Sequence, residues 1–229
     1  MKQIKHYFNR FWSTDSGLTA LLILLVLSLF VFYPLHEIRY IDFIINILFS
    51  LILLSGVVIV LGQRFLRFLV LGLVVINSIC NWMEYFSPSA GLGVLSALLN
   101  FLCFSFLVLI VLMQVFKEGR ITTQRVQGAI AAYLLFGLMW GFLYQSIALS
   151  AADAFRFSTT QPALSINALK AEMTYFSFVT LTTLGYGDIL AVHPFARMLV
   201  IMEALTGQLF PAILLARLVT LEIMDRNDK

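Results

Sequence analysis

The stretch Thr182-Thr183-Leu184-Gly185-Tyr186-Gly187-Asp188 places two glycines one residue apart, behind a pair of threonines and ahead of an acid. Glycine takes positive φ where other residues clash, so this backbone need not alternate its peptide planes as a strand does. Successive carbonyls from Thr183 to Tyr186 can then all face one side. A ring of such oxygens, contributed by several chains, could replace the water around a cation inside a membrane. A bare Gly-Tyr-Gly is a frequent turn and means little alone. Its setting gives it weight: a helix-prone apolar run, Ala168–Leu181, precedes it and a long apolar run follows it.

The elements that must hold this segment are those of a membrane protein. Hydrophobic residues make up 61% of the chain and charged residues 12%, far from the balance of a soluble domain. The apolar residues are blocked into long runs, which excludes the short alternating segments of a transmembrane barrel. With about 20 apolar residues needed per crossing, we read six spans, near Leu18–Leu35, Ile41–Leu61, Phe65–Tyr85, Leu92–Phe116, Val126–Leu149 and Phe195–Val219. Ala168–Leu181 is too short to cross. It fits a re-entrant half-helix between the fifth and sixth spans, its non-helical continuation sheltered by protein.

Every Lys and Arg except Arg39, Arg156, Lys170 and Arg197 falls on the side of the two termini. The positive-inside rule makes that side cytoplasmic and sets the glycine segment near the outer face of a cell (inner) membrane. The net charge of +3 follows from this loop bias and calls for no nucleic-acid partner. Cys80 and Cys103 fall inside spans, as buried thiols rather than a disulfide or metal pair. The basic start followed by Leu18–Leu35 lacks a small-residue cleavage site, so the first span is read as retained. The expected division is a four-helix bundle over residues 1–116, a cytoplasmic interfacial linker over 117–125, a pore domain over 126–221 and a short tail over 222–229. With so short a tail, no cytosolic sensing domain is expected. Trp12 and Trp82 sit near span ends as interfacial aromatics do. His6, His36 and His193 lie near membrane boundaries. No nucleophile–base pair, metal-ligand spacing or phosphate loop stands out, so no enzyme and no cofactor is expected.

The segment Thr180-Leu181-Thr182-Thr183-Leu184-Gly185-Tyr186-Gly187-Asp188, within Val126–Leu221, resembles the signature of the potassium channel family, with Leu184 where valine is commonest. The resemblance to six-span cation channels is close over this part and architectural only over the first four spans. It implies a homotetramer around one pore, with potassium as the permeant ion. It also implies that the carbonyls of Thr183, Leu184, Gly185 and Tyr186 are the ligands, with the Thr183 hydroxyl at the innermost site and Gly187 at the outer mouth. Thr182 would support the filter. Asp188 would be its brace, and the family's aromatic donor to that carboxylate falls here on Tyr175, whose phenol can donate. Val179 stands where some members place a second acid. Voltage-gated members repeat basic residues in the fourth span, whereas Gly91–Phe116 has no Lys or Arg, so no steep voltage dependence is expected.

In the last span Gly207 matches the family's hinge glycine, and Pro211 has no N–H for the carbonyl of residue 207. Together they mark a joint, against a plain packing role; Gln208, Pro211 and Leu215 would face the cavity. Glu203 is costly within a span unless paired or neutral. It is read as a brace bonded to pore-helix hydroxyls such as Thr180, or else as a pH-sensitive gate. Asn77 and Asn100 lie at similar depth and are expected to bond across helices, and Ser165 or Asn167 to cap the half-helix. The functions weighed are a potassium-selective channel, a weakly selective cation channel, a transporter with Glu203 carrying protons, and a non-conducting regulatory subunit. The opening stimulus, any ligand of the first four spans and the direction of flux are not encoded legibly.

Overall fold

The computed structural model describes residues 15–32, 39–59, 64–116, 122–158 and 165–227. Trp12, His6, His36 and the connector at 117–121 lie outside the described residues. The described chain is helical apart from one small strand pair. Helix α1 (Asp15–Val26) widens into a π-helical turn over Leu27–Phe32, and α2 (Arg39–Ile59), α3 (Arg64–Phe86) and α4 (Ala90–Val115) follow. Helix α5 (Thr123–Ser150) leads to strand β1 (Phe155–Phe157), the short α6 (Ile166–Leu181), strand β2 (Ile189–Ala191) and the long α7 (Pro194–Asn227).

Helices α4, α5 and α6 start where the sequence offers a side-chain acceptor to their first free N–H groups. Ser89, Thr122 and Ser165 take extended backbone and accept from the amides of Leu92, Arg125 and Ala168 respectively. Among the described residues, three helices are long and apolar enough to cross a membrane: α4, α5 and Pro194–Arg217 of α7. The other three expected spans coincide with helices whose described apolar stretches are shorter, Gly17–Val31, Phe43–Gly56 and Val70–Phe86. The π turn was not anticipated. Ser28 sits there and donates its hydroxyl to the Leu25 carbonyl at 2.9 Å, competing with the regular helix ladder at the point where it widens.

The apolar core is continuous across the connector. Leu21 and Leu25 of α1, Ile52 of α2, Phe104 and Val111 of α4, and Leu135 and Phe142 of α5 form one buried cluster. Phe49, Phe104 and Phe142 meet edge-on or tilted, with centroids 5.1–5.8 Å apart. The Lys170 ammonium at the start of α6 lies 4.9 Å from the Phe49 ring and 5.4 Å from the Phe142 ring, a cation–π contact joining α6 to the first helices. A second cluster joins Tyr144 of α5, Phe155, Met173 and Phe176 of α6, Ile189 and Ala196. At the other end of α7, Arg217 donates to the Phe116 carbonyl and stands over its ring at 4.8 Å, so a cation meets the free carbonyls ending α4.

Strands β1 and β2 pair antiparallel, Phe155 with Ala191 and Phe157 with Ile189. Three residues per strand flanked by long apolar runs leave no alternation long enough to read from sequence.

Candidate functional site

Helix α6 ends at Leu181, with Thr182 as its cap. From there the amides turn back onto the helix: Thr183 N–H donates to the Thr180 carbonyl at 2.9 Å, and those of Leu184 and Gly185 to the Val179 carbonyl at 2.9 and 3.3 Å. Thr183, Gly185 and Gly187 have φ of 60°, 57° and 78°, with Leu184 and Tyr186 between them at negative φ. Alternation of this kind gathers N–H groups on one side of the ribbon and leaves the carbonyls on the other. Among the described residues no donor meets the carbonyls of residues 183–187, and this whole stretch is exposed in the protomer. The partial negative end of the α6 dipole adjoins its start. The result is a row of unpaired oxygens with negative potential beneath it, suited to a cation stripped of water.

Sequence reasoning assigned the positive φ to the glycines alone. Thr183 shares it, at a strain of about 1–3 kcal/mol for a side chain in the left-handed region. Its backbone is held there by the bond to Thr180. Residue type gives no signal for this; only the alternation of period two through Gly185 and Gly187 could have extended it back to residue 183.

Asp188 is fixed on three sides. Tyr175 donates its hydroxyl to Asp188 Oδ2 at 2.7 Å, the Ile189 amide donates to Oδ1 at 3.0 Å, and the Ser158 amide donates to the Asp188 carbonyl at 2.8 Å. The β1–β2 pair therefore clips the residues just after the glycine segment to those preceding α6. Arg197 continues the clip by donating from Nε to the Ala191 carbonyl at 3.0 Å. Ser158 was not singled out from the sequence because it acts through its amide, and Arg197 was counted only as a loop charge because its partner is a backbone carbonyl.

Glu203 is fully buried, and its partners correct one expectation. The α6 hydroxyl that reaches it is Ser177, at 2.5 Å from Oε1, rather than Thr180 one turn later. Tyr144 of α5 donates to Oε2 at 2.7 Å. Ser177 has one hydroxyl hydrogen, and it also lies 2.7 Å from the Gly137 carbonyl. The count closes when the carboxyl is protonated: Glu203 donates to Ser177, Ser177 to Gly137, and Tyr144 to the remaining carboxyl oxygen. Every polar group is then paired, as a buried network requires. Tyr144 escaped notice as one more aromatic in an apolar helix.

Helix α7 meets its own protomer along one stripe, Glu203, Gly207, Phe210 and Leu214, spaced by three and four residues. It runs unbroken through Gly207 and Pro211. Gly207 has a steric reason to be glycine, since a Cβ there would lie 1.9 Å from the Leu181 carbonyl oxygen. Gln208, Pro211 and Leu215 are exposed on the other faces. The Leu181 carbonyl also accepts from the hydroxyl of Tyr133 on α5 at 3.1 Å.

Away from this site, Asn77 donates to Asn100 Oδ1 at 2.9 Å, and Asn81, one turn further along α3, shares the same oxygen at 3.2 Å. Cys80 and Cys103 are both free. Trp82 packs with Phe43, Tyr85 and Phe86 at the end of α3.

Residues 128–222, from α5 through the glycine segment into α7, match the family model described as ion channel. No curated protein and no solved structure matches the chain.

Proposed function

We propose that this protein, whose residues 128–222 match the family model described as ion channel, is a potassium-selective channel, a passive conduit rather than a catalyst. The observation that carries the reading is the alternation of φ at Thr183, Gly185 and Gly187, with no donor among the described residues on any adjoining carbonyl. Thr183, Leu184, Gly185, Tyr186 and Gly187 then supply the oxygens that replace potassium's hydration. Thr182 ends α6 beneath them, Tyr175 and Asp188 hold the outer end, and Glu203 holds α6 from behind as a neutral acid. Gly207 and Pro211 form the joint of the pore-lining helix.

One protomer offers one row of oxygens, which cannot encircle an ion, so the conducting unit is a homotetramer. Two features of the single protomer support this. The membrane-crossing part of α7 is apolar yet only 11% buried. A groove of about 780 Å³ also lies open beside the glycine segment, lined by Tyr175, Val179, Leu184 and Tyr186. Helices α1–α4 and the conduction unit from residue 126 to 221 make six spans with α6 re-entrant, both termini cytoplasmic. The missing charges in α4 argue for opening without a voltage sensor.

Reversal potentials of the purified protein in planar bilayers test the proposal. With opposed potassium and sodium gradients, the current should reverse near the potassium equilibrium potential. Reversal midway between the two ions would indicate a weakly selective pore, dependence on a proton gradient a transporter, and silence a regulatory subunit; each would overturn it.

A further inference from the structure

The peptide plane between Leu181 and Thr182 is separated from the row of carbonyls only by the Thr182–Thr183 plane, whose N–H is held by the Thr180 carbonyl, and it is itself pinned at both ends. Its N–H donates to the Phe178 carbonyl at 3.0 Å. Its carbonyl, one of those a helix end leaves without an internal partner, accepts from the Tyr133 hydroxyl at 3.1 Å. A planar peptide held at both N–H and C=O has no freedom left to rotate, so Tyr133 fixes the direction in which the chain enters the oxygen row.

The ring of Tyr133 is itself positioned from α7. Phe210 stacks on it with centroids 6.2 Å apart and planes 18° apart, and meets Phe136 edge-on at 5.5 Å. Phe210 stands one turn after Gly207, which touches the same Leu181 carbonyl without room for a Cβ, and next to Pro211, which withholds an N–H from the carbonyl of residue 207. The turn of α7 that lacks a hydrogen bond is thus the turn that grips both Tyr133 and the end of α6.

We propose that Tyr133 is a positioning residue for ion conduction, which transmits the placement of α7 at Phe210 to the peptide plane that aims the Thr183–Gly187 carbonyls. The proposal rests on the channel reading and deepens it. Displacement of α7 at its joint moves Phe210, Phe210 turns or releases the Tyr133 ring, and loss of the hydroxyl bond frees the Leu181 carbonyl. The first ligands of the row then lose their alignment while the rest of α6 stays packed.

The test is macroscopic current from the full-length protein in bilayers, comparing Tyr133→Phe, Phe210→Leu and the double variant. Tyr133→Phe keeps the stacking ring and loses only the hydroxyl. It should conduct with unchanged selectivity, yet its current should decline about threefold to tenfold faster during sustained opening, in keeping with one hydrogen bond. High external potassium, which keeps the oxygen row occupied, should shrink that difference; a merely structural defect would not respond to the ion. Phe210→Leu should speed the decline as well, and the double variant should be no faster than the worse single one, since both act through one ring. Unchanged decline in Tyr133→Phe alongside a conducting wild type overturns this proposal alone, as do single effects that multiply in the double variant. A wild type that does not conduct potassium overturns both this proposal and the reading beneath it.

Discussion

Replacing Glu203 by glutamine and by leucine separates a neutral brace from a charged one. Glutamine reproduces the hydrogen bonds of a protonated carboxyl, accepting from Tyr144 on its oxygen and donating to Ser177 from its amide. Leucine keeps most of the volume and abolishes both bonds. Ser177 still has the Gly137 carbonyl to donate to at 2.7 Å, so its loss is modest. Tyr144 is 0% exposed, and among the described residues its hydroxyl meets no partner besides Glu203; leaving such a group unpaired costs about 1–3 kcal/mol. For a chain of this size that corresponds to a fall of about 2–4 °C in the melting midpoint per kcal/mol. Tryptophan fluorescence melting of the detergent-solubilised protein, with bilayer current from the same preparation, would read both consequences. Glu203→Gln should melt within about 2 °C of wild type and conduct normally. Glu203→Leu should melt about 5 °C lower and lose current faster. A glutamine variant as damaged as the leucine one would refute the reasoning, because it would mean that the negative charge itself is needed.

Tyr175→Phe removes the 2.7 Å bond to Asp188 while leaving the two backbone contacts of that residue; current decline during sustained opening should speed about threefold to tenfold, measured by voltage clamp in bilayers. Gly207→Ala forces a methyl to within 1.9 Å of the Leu181 carbonyl oxygen, an overpacking of about 1–3 kcal/mol per protomer, and should abolish the assembled species on native gels or its current. Gly185→Ala puts a side chain at φ 57°, with about 1–2 kcal/mol of strain per chain, and should lower potassium selectivity in bi-ionic reversal measurements. Gating-current integration should find no more than a small fraction of the charge displaced by a basic fourth helix, since α4 carries no Lys or Arg from Ala90 to Val115.

What could be read from the chain beforehand divides by the kind of signal. Long apolar runs gave most helix ends to within a few residues, as in α4, expected from Leu92 to Phe116 and found from Ala90 to Val115, whereas α7, expected to end at Val219, continues to Asn227. The Asn77–Asn100 bond was legible because polar groups are conspicuous on apolar helices, and the Tyr175–Asp188 bond through the family resemblance, which set an aromatic donor at residue 175. Glu203 was conspicuous for the same reason, but choosing between Ser177 and Thr180 needs the rotation of α6 against α7, which hydrophobic pattern leaves open. Tyr133 and Tyr144 hid among aromatics whose rings are ordinary core; only the tertiary fold aims their hydroxyls at a helix-end carbonyl and a carboxyl. The β1–β2 clip was invisible because its bonds are backbone to backbone. The single core spanning α1 to α5 could not be inferred either, since apolarity fixes that a helix is buried and says little about which neighbour it packs on.

A structure of the purified protein in potassium, with thallium soaked in as an electron-dense substitute, is the most direct trial of the oxygen row. Four chains should surround one axis with a file of ion density along it, each ion ringed by carbonyls from residues 183–187. Chains isolated from one another, or a Gly185–Gly187 segment turned away from any common axis with no ion beside it, would contradict the account.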